Sequence, residues 1–318
     1  PPPPFNILKA LIRHQNLFFQ FAFRLDAATL TDLYAIDKEF HFRYNQYCLG
    51  LTYRHANYWA PVATHIFTPS FFPQLCITDP MRRPLDGRPH LARDVPSLRW
   101  AQLVIFRSNI VREILTLLAI EGHRVPKEAE AVLLKLWMLM ELRSERTRLV
   151  YLEDRAIWSD EDLLVANLLL VKLDMRFADP VNGKGICELS CMLFTQKSLT
   201  SLLRVLRGWL LTRRGQDYDE LRAMLKRTYF DDDLELDNAP WMDDEEDPRN
   251  EVREEEWGNL HSEGWSWDGE FMADALELLV EECVSRQLHV HRYLLDFVLY
   301  GAVDEGTGEN YPRVRWRG

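Results

Sequence analysis

Apolar side chains along this chain recur with the period of a helix and almost nowhere with the period of a strand. Leu8, Leu11, Ile12, Phe18 or Phe19, and Ala22 line one side of a predicted helix over 5–25. A polar break follows, in which either Asp26 or Thr29 is placed to cap the next helix by accepting a backbone N–H. Leu30, Leu33, Tyr34 and Ile36 then form one face of a short helix over 29–36. A longer, aromatic-rich helix is expected from Lys38 to about Trp59. Pro61, Pro69, Pro73 and Pro80 allow only short elements after it. The clearest long helix spans Ser97 to Ile120, with Gly122 as its stop. A further one runs from Pro126 to Met140 and turns polar over Glu141 to Arg148. Ser159 and Asp162 read as a capping box that opens Leu163 to Met175. That helix is apolar almost all round and belongs at a centre, where Lys172 and Asp174 must sit near its exposed end or be paired. Helical spacing returns over Ser198–Leu211, after Asp217, over Phe271–Val284 and over Val290–Leu299, which ends at Gly301. No alternation longer than four residues occurs, and no repeat. The expected class is all-α, built as a helical bundle or array.

One segment breaks the pattern. Between Asp231 and Glu256 fourteen acidic residues face only Arg249 and Arg253, a balance of −12. The net charge of the whole chain is −11, so everything else is close to neutral. Whole-surface binding to nucleic acid is therefore not expected. The expected organisation is an N-terminal helical unit (1–60), a helical body (61–230), a long acidic insertion (231–267) and a C-terminal helical pair with a polar tail (268–318). Trp241 and Trp257 stand among the acids Asp231, Asp232, Asp233, Asp243, Asp244, Glu245 and Glu246. A solvating loop has no need of tryptophans, so these residues are candidates for contact with a basic partner such as a histone-like tail. A second charged piece, with Arg82, Arg83, Arg88 and Arg93, reads as a surface connection or a dock for carboxylate or phosphate. Arg213, Arg214, Arg222, Lys226 and Arg227 alternate with acids and read as a solvated face.

The chemistry-bearing residues are sparse. Cys187 and Cys191 would supply half a zinc site, with no histidine close in sequence. Cys283, His289 and His291 cluster, but two-residue spacing turns the histidines to different sides of a helix. There is no Gly-x-Ser-x-Gly elbow, and Gly183-Lys184-Gly185 lacks the glycine spacing of a phosphate loop. No enzyme, cofactor or metal is expected from these motifs. Five scattered cysteines suggest reduced thiols in the cytoplasm or nucleus. No stretch of about eighteen uncharged apolar residues occurs, so no membrane span is expected.

Leu25, Thr29, Leu30, Leu33, Ile36, Lys38 and Phe40, preceded by Ile7, Leu8, Leu11 and Ile12, are spaced in a way that resembles an F-box. The resemblance covers about forty of 318 residues and departs from the family at its start, where the usual Leu-Pro opening is missing. The run from Asp37 through Asp94, with IDKEFHFRYNQY and DPMRRPLDGRPHLARDVPSLRW, resembles fungal F-box-like proteins. The resemblance implies a substrate-recruiting adaptor of a cullin-type ubiquitin ligase. It implies too that Leu8, Leu11, Leu25, Leu30, Leu33 and Ile36 lie on or under the surface that meets a Skp-family adaptor protein. The alternative expectation is a non-catalytic helical scaffold subunit of a nuclear or cytosolic complex. Burial of those leucines inside the chain's own core would favour the scaffold.

Overall fold

A computed structural model describes residues 6–81, 93–142, 144–180, 189–194, 198–208, 275–303 and 306. Among them 74% are helical and 3% lie in strands, which establishes a mostly helical protein. The chain divides into two compact units, Pro1–Asn109 and Ile110–Gly318. The N-terminal tetraproline, the arginines 82, 83 and 88, the Cys187 and glycine-turn region, the basic stretch after Asp217 and the acidic insertion lie outside the described residues.

In the N-terminal unit the first predicted helix is two, α1 (Ile7–Arg13) and α2 (Gln15–Ala22), with extended backbone at His14. The reason is packing. Ile12 and Phe18 are both fully buried in one core. On a single straight helix they would point about 120° apart. Asn6 starts α1 by accepting from Lys9 N. Of the two cap candidates, Asp26 starts α3 (Ala27–Ile36), accepting from Thr29 N at 2.9 Å and from the Thr29 hydroxyl. The long aromatic helix is also two, α4 (Lys38–Gln46) and α5 (Cys48–Trp59), separated at Tyr47. Phe40, Tyr44, Cys48 and Leu51 join Ile12, Phe18, Ala22 and Leu30 in the same core. Phe18 and Phe40 meet edge to face at 5.4 Å, and the Tyr44 hydroxyl is paired with Thr52 at 3.1 Å.

After α6 (Pro61–Ile66), which begins on its proline, two 3-10 turns lead to a small ladder. Strand β1 (Cys76–Thr78) pairs antiparallel with β2 (Asp94–Pro96), Ile77 opposite Val95. The sequence pattern predicts no strand. Three-residue strands are too short for an alternation to register. Trp100 and Arg107, both on α7 (Leu98–Ile120), then close the unit. The buried Trp100 indole donates to Phe67 O at 2.8 Å. The Arg107 guanidinium lies 4.5 Å from the Phe67 ring centroid and 5.1 Å from that of Phe72.

The C-terminal unit is organised around α10 (Asp160–Ala178), as its all-round apolar pattern predicts. It packs against α8 (Ala129–Glu141), α11 (Leu189–Phe194), α13 (Ala275–Ser285) and α14 (Leu294–Leu299). The predicted capping box is present: Ser159 Oγ accepts from Asp162 N, and Asp162 Oδ2 accepts from Ser159 N. Gly122 takes a left-handed conformation just after α7, where the sequence places the stop. Gly301 does the same after α14, and a Cβ there would lie 2.5 Å from Arg124 Cβ. Of the remaining helices, α9 (Glu145–Glu153) packs on α8 and α13, and α12 (Thr200–Leu206) on α11.

Two arginines do work that polar sequence runs do not announce. Arg148, fully buried, donates from Nε to Leu142 O at 2.9 Å and from Nη2 to Met140 O at 3.0 Å. It thereby satisfies carbonyls at the end of α8. The Arg286 side chain, 3% exposed, donates from Nη1 to Trp158 O and Asp160 and from Nη2 to Leu152 O and Glu153 O, and is paired with Glu282. Lys172 and Asp174 are both partnered. The buried Lys172 amine donates to Val298 O at 2.8 Å, and burial pushes it down to about 8. Asp174 accepts from the Ser190 hydroxyl.

Candidate interaction surface

Helical spacing says that α1 to α3 have apolar sides, and the fold decides which way those sides face. Leu30 is 1% exposed and belongs to the core of the N-terminal unit. Leu8, Leu25 and Leu33 are half-buried and pack against that core. Leu11 is half-buried. Ile36, at the last turn of α3, is 77% exposed, and Ile7 at the first turn of α1 is 70% exposed. The six leucine and isoleucine positions therefore separate. Leu30 holds the unit together, Leu8, Leu25 and Leu33 are shared between core and surface, Leu11 is half-buried, and Ile36 belongs to the surface.

Electrostatics fix how the helices meet. Arg13 on α1 donates to Glu39 on α4 at 2.9 Å. Both side chains are partly solvated, so this pair aligns the helices more than it stabilises them. Tyr34 donates to Asn45 Oδ1 at 2.9 Å, and Gln102 donates to Thr31 Oγ1 at 2.8 Å. His55, on the inner side of α5, is 1% exposed. Its Nδ1 meets Phe23 O at 3.2 Å and so carries the proton, while Nε2 has no hydrogen-bond partner among the described residues.

Burial holds the His55 imidazole below its ordinary value of 6.5, against smaller raising effects from Phe23 O and Asp26. An unfolded chain takes up a proton near that ordinary value, and the folded unit resists it. Stability is therefore fully present above about pH 6.5 and declines as pH falls toward the lower folded value. Melting of the N-terminal unit followed from about pH 8 to about pH 5 should show this loss. His55→Gln, which cannot titrate, should flatten it. An unchanged slope in the variant would assign the acid sensitivity elsewhere.

The other candidate residues do not assemble. His289 and His291 have ring centroids 5.8 Å apart at the surface, on a 3-10 turn rather than an α-helix. Cys283 is buried and accepts from Asn167 Nδ2 at 3.4 Å. Among the described residues no group of three or more His, Cys, Asp or Glu is arranged to hold a metal ion. No described helix is long and apolar enough to cross a membrane. The acidic-segment candidates from Asp231 to Trp257 lie outside the described residues. Phe42, Tyr53, Tyr58 and Trp59 are exposed at 61%, 38%, 51% and 37%. Their density is visible in the sequence, but their exposure is not, because an aromatic-rich helix is equally suited to a core. No family model, curated protein or solved structure matches the chain.

Proposed function

We propose that this chain is a protein-interaction adaptor whose N-terminal unit docks a Skp-family adaptor protein as an F-box does, making it a substrate-recruiting subunit of a cullin-type ubiquitin ligase. The observation that supports this reading is what remains after the core is closed. Ile7, Ile36 and Phe42 stay 70%, 77% and 61% exposed on α1, α3 and α4, within the stretch that resembles the family. Burying a Val- to Phe-sized side chain at an interface contributes about 1.5–3 kcal/mol, so a few such anchors suffice for specific docking.

The scaffold reading has its own support. Leu8, Leu25, Leu30 and Leu33 are engaged with the unit's own core. In that reading the same helices are architecture, and partner contacts belong to other surfaces.

Co-purification of the full chain with the Skp-family adaptor separates the two. Leu30→Asp is the wrong probe, since a charge in that buried position would unfold the unit. Ile7→Asp with Ile36→Asp alters only exposed positions and should leave melting within about 0.5 kcal/mol of the parent. Stoichiometric capture by the parent, lost in the double variant, is the expected result. A folded parent that captures no adaptor overturns the ligase reading in favour of the scaffold.

A further inference from the structure

We propose that the seam between α2 and α5 is a docking surface for an acidic protein segment with apolar anchors. This goes beyond the adaptor reading and does not depend on it.

The seam follows from two four-residue spacings. Phe19 and Phe23 stand one helical turn apart at the end of α2, and Arg54 and Tyr58 stand one turn apart on α5. The helices are held in register by His55 Nδ1 on Phe23 O and by the Trp59 indole, which donates to Leu25 O at 3.0 Å. Each residue of α5 then meets one of α2. The Arg54 guanidinium lies 5.7 Å from the Phe19 ring centroid, and the Tyr58 ring lies 5.4 Å from that of Phe23. The Arg24 guanidinium lies 5.1 Å from the Phe23 ring centroid, and Trp59 adjoins Tyr58 at 5.5 Å. The result is a strip of aromatic rings flanked by two arginines, Arg54 on Phe19 and Arg24 on Phe23.

The strip is open. Arg24 and Arg54 are exposed, as are Tyr58 and Trp59. Among the described residues neither guanidinium has a carboxylate partner. Arg24 donates to Gln20, and the charge of Arg54 rests on the Phe19 ring. A guanidinium on a ring face keeps its in-plane N–H donors, and those fit a carboxylate. The neighbouring acid, Asp26, is committed to the cap of α3 through Thr29.

The charge of the whole unit favours the same partner. Residues 1–109 contain twelve Lys and Arg against seven Asp and Glu, a formal +5 in a chain whose total is −11. An acidic segment is thus drawn to this unit before it makes contact. The ring geometry favours protein over single-stranded nucleic acid. Tyr58 meets Phe23 at 60° and Trp59 at 84°, edge to face, so these rings do not form a row of flat platforms for bases. They offer ridges and edges against which leucine or tryptophan side chains pack.

The test uses the full chain and a short fluorescein-labelled peptide in which glutamates alternate with leucine and tryptophan, read by fluorescence anisotropy. The parent should bind, and binding should weaken as salt is raised. Arg24→Glu with Arg54→Glu should weaken it at least about tenfold, and Tyr58→Ala should weaken it as well. Ile7→Asn with Ile36→Asn, which adds no charge to the unit, should leave it unchanged, which keeps this result separate from the adaptor reading. Should the double reversal lower the melting temperature, Arg54→Gln replaces it and must still weaken binding. No binding by the parent overturns the proposal, as does unchanged affinity in the arginine variants or in Tyr58→Ala. Tighter binding of a single-stranded oligonucleotide than of the peptide, lost in the same variants, overturns it in favour of nucleic acid.

Discussion

Arg286→Ala should destabilise the C-terminal unit by about 4 kcal/mol and release α13 from it. Leu152 O and Glu153 O are carbonyls at the end of α9, where no next turn exists to satisfy them. Trp158 O immediately precedes the cap of α10. One guanidinium, from the residue that follows α13, therefore closes the end of one helix and fixes the start of another. Alanine would strand three carbonyls and leave Glu282, whose side chain is 12% exposed, without its charge partner. Each hydrogen bond to a charged group is worth about 1.5–3 kcal/mol, but they share one side chain and do not add. Arg286→Lys should recover little, because an ammonium on a single stem cannot reach the same separate acceptors as the planar fork. Hydrogen exchange reads the outcome directly. Amides over 275–303 should lose protection, while those of the N-terminal unit keep theirs. A loss below about 1 kcal/mol with intact protection would show that packing alone holds α13.

Arg148→Ala is expected to cost about 3–5 kcal/mol in the same unit. The side chain is fully buried between α8 and α9, so truncation leaves a cavity as well as unsatisfied carbonyls at Met140 and Leu142. Arg148→Met separates the two effects. Methionine refills much of the volume and makes no hydrogen bond, so its deficit relative to the parent measures the carbonyl contacts. Denaturant unfolding with a probe in the C-terminal unit gives both numbers. If alanine and methionine are equally harmful, hydrogen bonding dominates. If methionine restores the parent stability, the role of Arg148 is to fill space.

These arginines mark where sequence reading stops. The Ser159–Asp162 box, the Gly122 stop, the extent of α7 and the central place of α10 are legible because each depends on local chemistry or on a strong period. The acceptors of Arg148 and Arg286 are backbone carbonyls, which every residue possesses, so no side-chain pattern announces them. Arg148 sits at the end of a run that turns polar in the sequence, yet it is among the least exposed of the described residues. The breaks at His14 and Tyr47 are hidden for another reason. Apolar residues continue across both. At His14 the need to bring Ile12 and Phe18 into one core separates the helices. Phe40, Tyr44, Cys48 and Leu51, in contrast, would share one face of an unbroken helix, so their packing does not explain the break at Tyr47. The leucines of the F-box-like stretch show the same limit. Spacing puts Leu30 and Ile36 on a helix, but only packing sends one inward at 1% exposure and the other outward at 77%.

The buried sulfurs have a chemical side. Cys48 in the N-terminal unit and Cys283 in the C-terminal unit are 5% and 4% exposed, and burial pushes both thiols up. Only the thiolate attacks oxidants and alkylating agents, so both sulfurs are inert while their surroundings stay closed. Reactivity appears when a unit opens, and the higher oxidation states that follow are bulky, charged and not reversed by simple thiols. A sulfonate could not return to the place Cys48 occupies beside Tyr44 and Leu51. Transient opening in an oxidising environment would thus convert a reversible excursion into permanent damage, and each unit carries its own record of having unfolded.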